Sequence, residues 1–242
     1  MVMAPLNGEA GHESTRSALH RVAAHILARR RFDISGRFGL RASPGGFATP
    51  AFGEGPETIR VAGDRLVREI GGLSTSIPLV GSTLRELARA SDVDLSKPFD
   101  CGPDAPALGD IDEPIGLDLE AVRVLADWYD LGWRSLDAVV ATLPGDAAPA
   151  TIQLWPEHFD AATNLKVSSG AMVNMGCSPG DGFEPAPYAY VGPWDLSQVP
   201  KSAFWNAPFG AVLRRSDLTA SSDGLDECIQ FFGNGIRLAS QS

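Results

Sequence analysis

Residues 41–81, RASPGGFATPAFGEGPETIRVAGDRLVREIGGLSTSIPLVG, read as short strands joined by tight turns. Ser43-Pro44-Gly45-Gly46 is a turn signal, because proline presets φ at the second position and glycine accepts a positive φ at the third. Upstream, Ile34 and the alternating Phe38 and Leu40 suggest a strand leading into that turn, and a return strand runs toward Phe52. Residues 58–61 and 64–70 form a hairpin turning at Ala62-Gly63, and LSTSIPLVG adds a further strand.

Helices flank this block. Over residues 14–31, Leu19, Val22, Ala23, Ile26 and Leu27 recur at helical spacing, and Arg29, Arg30 and Arg31 complement the helix dipole in the last turn. Thr83 with Glu86 fits a capping box opening a short helix to about Ala90. The strongest helical pattern is 118–143, with Asp118 as N-cap, an apolar face through Val122, Leu125, Trp128, Tyr129, Trp133, Leu136 and Val139, and Pro144-Gly145 as the stop. A last helix spans 224–232 and ends at Gly233-Asn234-Gly235. These elements predict an α+β fold, a largely antiparallel sheet built from hairpins and packed against two main amphipathic helices. A single globular domain over 13–242 follows a disordered tail over 1–12. The Pro-, Gly- and Asp-rich excursion 91–116 is where halves 13–90 and 117–242 would join. The echo between RASPGGFATPAFG and GCSPGDGFEPAPYAYVG leaves a pseudo-duplication of two halves open.

The chain has 242 residues, 44% of them apolar, enough to fold without disulfide or metal. With 20 basic and 30 acidic residues its formal charge is −10, which disfavours nucleic acid and anionic membranes as partners. No apolar run is long enough to span a bilayer, and the first residues lack a secretory pattern, so a cytoplasmic protein is expected. Cys101, Cys177 and Cys228 are sparse and follow no metal or disulfide spacing.

Unusual chemistry collects in residues 151–195. In TIQLWPEHFDAATNL an extended chain would project His158 and Asp160 to one side. Pro156 makes this an edge or bulged strand. Residues 171–177 read as another strand, with Val173, Met175 and Cys177 on one side. Ser178-Pro179-Gly180-Asp181 is its turn, and the return arm carries Tyr188 and Tyr190 on a common side. If the strands are neighbours, His158, Asp160, Asp181 and Glu184 share a rim with Glu157, walled by Trp155, Tyr188 and Trp194. An imidazole beside a carboxylate is a general base near neutral pH, and the second acid would orient water or substrate. His12 lies in the expected tail, and His20 and His25 are five apart on a helix, so neither supplies a chelating pair. Ser178 lacks a nucleophile elbow, and Cys177 needs a favourable strand register to meet His158.

LWPEHFD followed by GCSPGD, Glu184-Pro185 and YVGPW resembles an uncharacterised bacterial family. Trp155, Pro156, His158, Phe159 and Asp160 match it, as do Ser178, Pro179, Gly180, Asp181 and Glu184. GRFGLRASPGGFATPAFG and LADWYDLGW extend the resemblance from about Ser14 to Phe232. The chain departs from the pattern at Ala186-Pro187, ahead of Tyr188. The resemblance implies no particular activity and no cofactor.

Three readings of function follow. One is an enzyme or small-molecule-binding protein using His158, Asp160, Asp181 and Glu184 as catalytic groups and Trp155, Tyr188 and Trp194 as binding groups. The second is a non-catalytic protein in which the same residues brace the fold and function lies in protein contacts. The third is a metal-dependent hydrolase using the same cluster, although no residue is assigned as a metal ligand. Convergence on a solvent-reachable hollow favours the first and third; buried mutual pairing favours the second.

Overall fold

The structure is a computed structural model in which residues 9–198, 201–218 and 224–241 are described. Among the described residues there are two five-stranded antiparallel sheets, and the chain divides into two compact units, residues 9–129 with 154–159 and residues 130–153 with 160–241.

In the first unit the opening helix is longer than its periodicity predicts. It runs without a break through α1 (Glu9–Val22), a π-helical stretch (Ala23–Ala28) and α2 (Arg29–Ser35). Residues 9–12, expected in the tail, are thus its first turn, and His12 is buried; residues 1–8 lie outside the described residues. Leu19, Val22, Ala23, Ile26 and Leu27 are all buried, as the stripe requires. The strand expected around Ile34 and Phe38 is not formed. Ile34 is in α2, the helix ends at Gly36 in a left-handed cap, and extended pairing begins only at Leu40, which bridges Leu154.

Strands β1 (Arg41–Ser43), β2 (Gly46–Ala48), β3 (Glu57–Ala62), β4 (Arg65–Ile70) and β5 (Leu73–Pro78) form a meander in chain order. The Pro44-Gly45 turn is as expected, with Gly45 at φ 79°. At the β4–β5 turn Gly71 and Gly72 both take positive φ, 58° and 80°. That is the type I′ geometry whose twist matches a two-residue hairpin. Helix α3 (Leu84–Ala90) starts with the expected box, the Glu86 N–H donating to Thr83 Oγ1 and the Thr83 N–H to Glu86 Oε2.

The three arginines of α2 do more than face the helix dipole. All are buried and each has its own acceptor. Arg29 donates to the Lys97 carbonyl and Arg31 to that of Gly39. Arg30 reaches Glu57 at 3.1 Å and Asp92 at 2.9 Å, and Arg68 meets the other oxygen of Glu57 at 2.8 Å. Arg21 and His25 donate to the carbonyls of Leu108 and Pro106. The 91–116 excursion, read above as the joint between halves, therefore lies inside this unit, its carbonyls held by three arginines and one imidazole of the opening helix.

Helix α4 (Leu119–Val140) begins at Asp118, whose Oδ1 accepts the N–H groups of Glu120 and Ala121. Its residues from 130 onward belong to the second unit. The second sheet is the meander β6 (Gln153–Trp155), β7 (Asp160–Lys166), β8 (Met172–Ser178), β9 (Tyr188–Pro193) and β10 (Ala211–Arg214). Helix α5 (Leu225–Ala239) runs straight through the expected stop at Gly233-Asn234-Gly235. Gly235 is there for close approach: a Cβ on it would collide with the Val191 side chain on β9. Ser43-Pro44-Gly45 joins the first two strands of its meander, whereas Ser178-Pro179-Gly180 joins the third and fourth, so the echoed string does not occupy equivalent turns. No helix among the described residues is long and apolar enough to cross a membrane.

Candidate functional site

The strand expected over 151–160 is interrupted where Pro156 removes a backbone donor. β6 stops at Trp155, and Pro156, Glu157, His158 and Phe159 form a single turn closed by the Phe159 N–H donating to the Trp155 carbonyl at 2.7 Å. Phe159 sits at φ 60°, a left-handed conformation that costs a bulky residue about 1–3 kcal/mol. Surrounding contacts hold it there. The Tyr129 hydroxyl donates to the Phe159 carbonyl at 2.7 Å. The Phe159 ring stacks on His20, centroids 5.0 Å apart, and meets Phe47 edge-on. His20 Nε2 donates to the Pro156 carbonyl at 2.8 Å. Burial pushes the His20 imidazole down to about 4, with Arg16 and His25 adding to the effect and the carbonyls of Pro156 and Glu157 opposing it. It is therefore a neutral donor at physiological pH.

The turn breaks the alternation that put His158 and Asp160 on one side. Two residues apart in sequence, they fall in different units, and each has its own partners. His158 faces Glu157, with Nε2 3.6 Å from Oε2, and Asp104, with Nδ1 3.7 Å from Oδ2. One ligand atom from each of Asp104, Glu157 and His158 lies within 4.8 Å of the others. The imidazole and Asp104 are open to solvent, at 51% and 71% exposure, while Glu157 is at 19%.

Glu157 is seated by the excursion. The Asp104 N–H donates to its Oε1 at 3.4 Å, and a side chain at Gly102 (φ 137°) would occupy the space of its carboxyl group. Cys101 beside it is buried, and burial with the charges of Glu157 and Asp100 pushes its thiol up to about 11. It is no nucleophile at neutral pH. Sequence reading missed Asp104, because no spacing rule links an aspartate in a loop to a turn so far along the chain. The local sign was Asp100-Cys101-Gly102, where the Gly102 N–H bonds the Asp100 side chain and the glycine permits close approach.

In the second unit the remaining expected acids are paired among neighbouring strands of the second sheet and the β8–β9 turn. Asp160 is buried and accepts from the Tyr190 hydroxyl. Gly176 leaves room for that hydroxyl, since a Cβ would run into it. Asp181 Oδ1 takes the N–H groups of Phe183 and Glu184, and Oδ2 takes the Tyr188 hydroxyl at 2.5 Å. Burial first, then Asp181 at Tyr188 and Asp160 at Tyr190, holds both tyrosines protonated far above the ordinary range. Glu184 pairs with Arg214 at 2.6 Å. Of the expected aromatic walls, Tyr188 is buried, Trp155 is half-buried on β6, and Trp194 is exposed with its indole N–H on Asn174. Cys177 is fully buried and its thiol is pushed well up by desolvation.

The chain was compared with protein-family models, curated proteins and solved structures, and none of them matches it.

Proposed function

We propose that this is a small-molecule-binding protein built on a divalent cation held by Asp104, Glu157 and His158. The supporting observation is their convergence: two carboxylate oxygens and one imidazole nitrogen within 4.8 Å of one another, presented to solvent by a turn that the unit braces from behind. One nitrogen with two hard oxygens suits an ion of the Mg²⁺ or Mn²⁺ kind. Three protein ligands leave coordination positions for water and for an oxygen of a small molecule, so hydrolysis by ion-bound water is the chemistry such a site would support. Asp160, Asp181 and Glu184 serve in this reading as braces of the second sheet. Free, buried cysteines fit a reducing, cytoplasmic setting.

The test is Mn²⁺ titration of the apo protein, followed by loss of the free-ion electron paramagnetic resonance signal. Saturable binding of one ion per chain is expected, weakened about tenfold or more in Glu157→Gln and in His158→Ala. The melting temperature of His158→Ala without metal should match wild type, because the ring is half exposed. An unchanged free-ion signal with wild type, or equal binding by both variants, overturns the proposal.

A further inference from the structure

β5 is an end strand of the first sheet, and its free edge is unusually bare. The β4–β5 register pairs Ile70 with Leu73, Arg68 with Thr75 and Leu66 with Ile77. A two-residue turn makes the first of these a hydrogen-bonded pair, and the parity carries through to the Leu79 N–H on the Asp64 carbonyl at 2.7 Å. Leu73, Thr75 and Ile77 therefore spend their backbone groups on β4. Those of Ser74 and Ser76 point outward, ending at Pro78, which has no N–H to offer. The Arg65 guanidinium lies on this edge, donating to Ser76 Oγ at 2.5 Å and approaching the Ser76 carbonyl at 3.4 Å; among the described residues the Ser76 N–H and both Ser74 backbone groups have no partner. Natural sheets guard such an edge with charge, a bulge or a covering element. Residues 71–84 carry no ionisable side chain at all.

The side chains tell the same story. On the face where β3 and β4 bury Ile59, Val61 and Leu66, the outer positions are exposed, with Ile70 at 38% and Leu73 at 74%. The Arg68–Thr75 pair separates these two from Leu66 and Ile77, so the exposed apolar side chains form a patch at the turn end of the hairpin.

We propose that β5 pairs antiparallel with β5 of a second copy of this chain, about a two-fold axis through Thr75. In that register Ser74 lies opposite Ser76 of the second copy, so the outward groups of both serines are paired in about four hydrogen bonds, the Ser76 carbonyl being shared with or released by Arg65. Leu73 meets Ile77 of the second copy on the apolar face, extending it across the axis. Centring on Ser76 instead would set Ser74 against Pro78 and waste a donor. Charge selects the same place: two copies at −10 repel at long range, and the uncharged segment lets them meet without opposing like charges. One strand pair buries less than the roughly 800 Å² per partner of a standard interface, so the dimer is weak and concentration-dependent.

Cross-linking tests both the partner and the register. Across the axis, Thr75 opposes itself in a non-hydrogen-bonded pair with Cα atoms about 4.5 Å apart, within disulfide range. Thr75→Cys is expected to give a covalent dimer under mild oxidation. Ser74→Cys and Ser76→Cys, offset from their own copies by two residues, should give far less. The native cysteines are buried and do not compete. Sedimentation of wild type should show a dimer growing with concentration, and Thr75→Lys, which sets two ammonium groups face to face, should stay monomeric at an unchanged melting temperature. A wild-type monomer at every concentration, or equal cross-linking at all three positions, overturns the proposal.

Discussion

Acidifying the protein should loosen the turn that carries Glu157 and His158, and His20 should account for a measurable part of the loss. Its imidazole titrates near 4 in the folded chain and near 6.5 unfolded, so between those values the unfolded state holds the extra proton. A depressed imidazole of this kind adds nothing unfavourable above pH 6.5, and stability falls as pH drops from there toward 4. The full window is worth about 3 kcal/mol at 1.36 kcal/mol per unit, and the step from pH 7 to pH 5 alone about 2 kcal/mol. His20→Gln retains an N–H for the Pro156 carbonyl but does not titrate. Urea unfolding of both proteins at pH 5, 6 and 7 isolates the effect, because the other titrating groups cancel in the difference. Relative to wild type, the variant should gain about 2 kcal/mol on going from pH 7 to pH 5. Parallel stability curves would refute a neutral, half-buried His20 behind the turn.

Glu57→Gln removes the charge shared by Arg30 and Arg68 at a site where Glu57 is 4% exposed, and urea unfolding should register a loss of about 3–5 kcal/mol. Gly235→Ala and Gly233→Ala form a matched pair on α5. Helix propensity alone favours both by about 1 kcal/mol, and Gly233 has open space around it. Gly235 abuts Val191, so overpacking of about 1–3 kcal/mol should reverse the sign there, seen as melting temperatures moving in opposite directions.

What was legible in the sequence was local. Ser43-Pro44-Gly45-Gly46, the Thr83–Glu86 box and Asp118 each fix backbone within a few residues, and the structure forms all three as read. The hairpins over 57–78 and the helical stripes follow from periodicity for the same reason. Errors arose where a local signal met a distant contact. Gly233-Asn234-Gly235 looks like a helix stop, yet Gly235 answers to a strand far away in sequence. The alternation through His158 and Asp160 is regular on paper, and the strand ends because Pro156 cannot continue a ladder while His20, Phe47 and Tyr129 stabilise a turn. Asp104 shows the remaining gap. Its place beside His158 depends on how the excursion is tied down by Arg21, His25, Arg29 and Arg30, and no window of sequence contains both ends of those bonds.

The π-helical stretch Ala23–Ala28 amounts to one surplus residue wound into an otherwise α-helical rod. The bulge takes up that residue within a turn, so Arg29, Arg30 and Arg31 face where they would in an α-helix one residue shorter. Were the six residues drawn into plain α winding with none removed, everything downstream would swing through roughly 100°. The three arginines would then turn from the carbonyls of Lys97 and Gly39 and from the Glu57 carboxylate, and the loop that delivers Asp104 would lose its moorings.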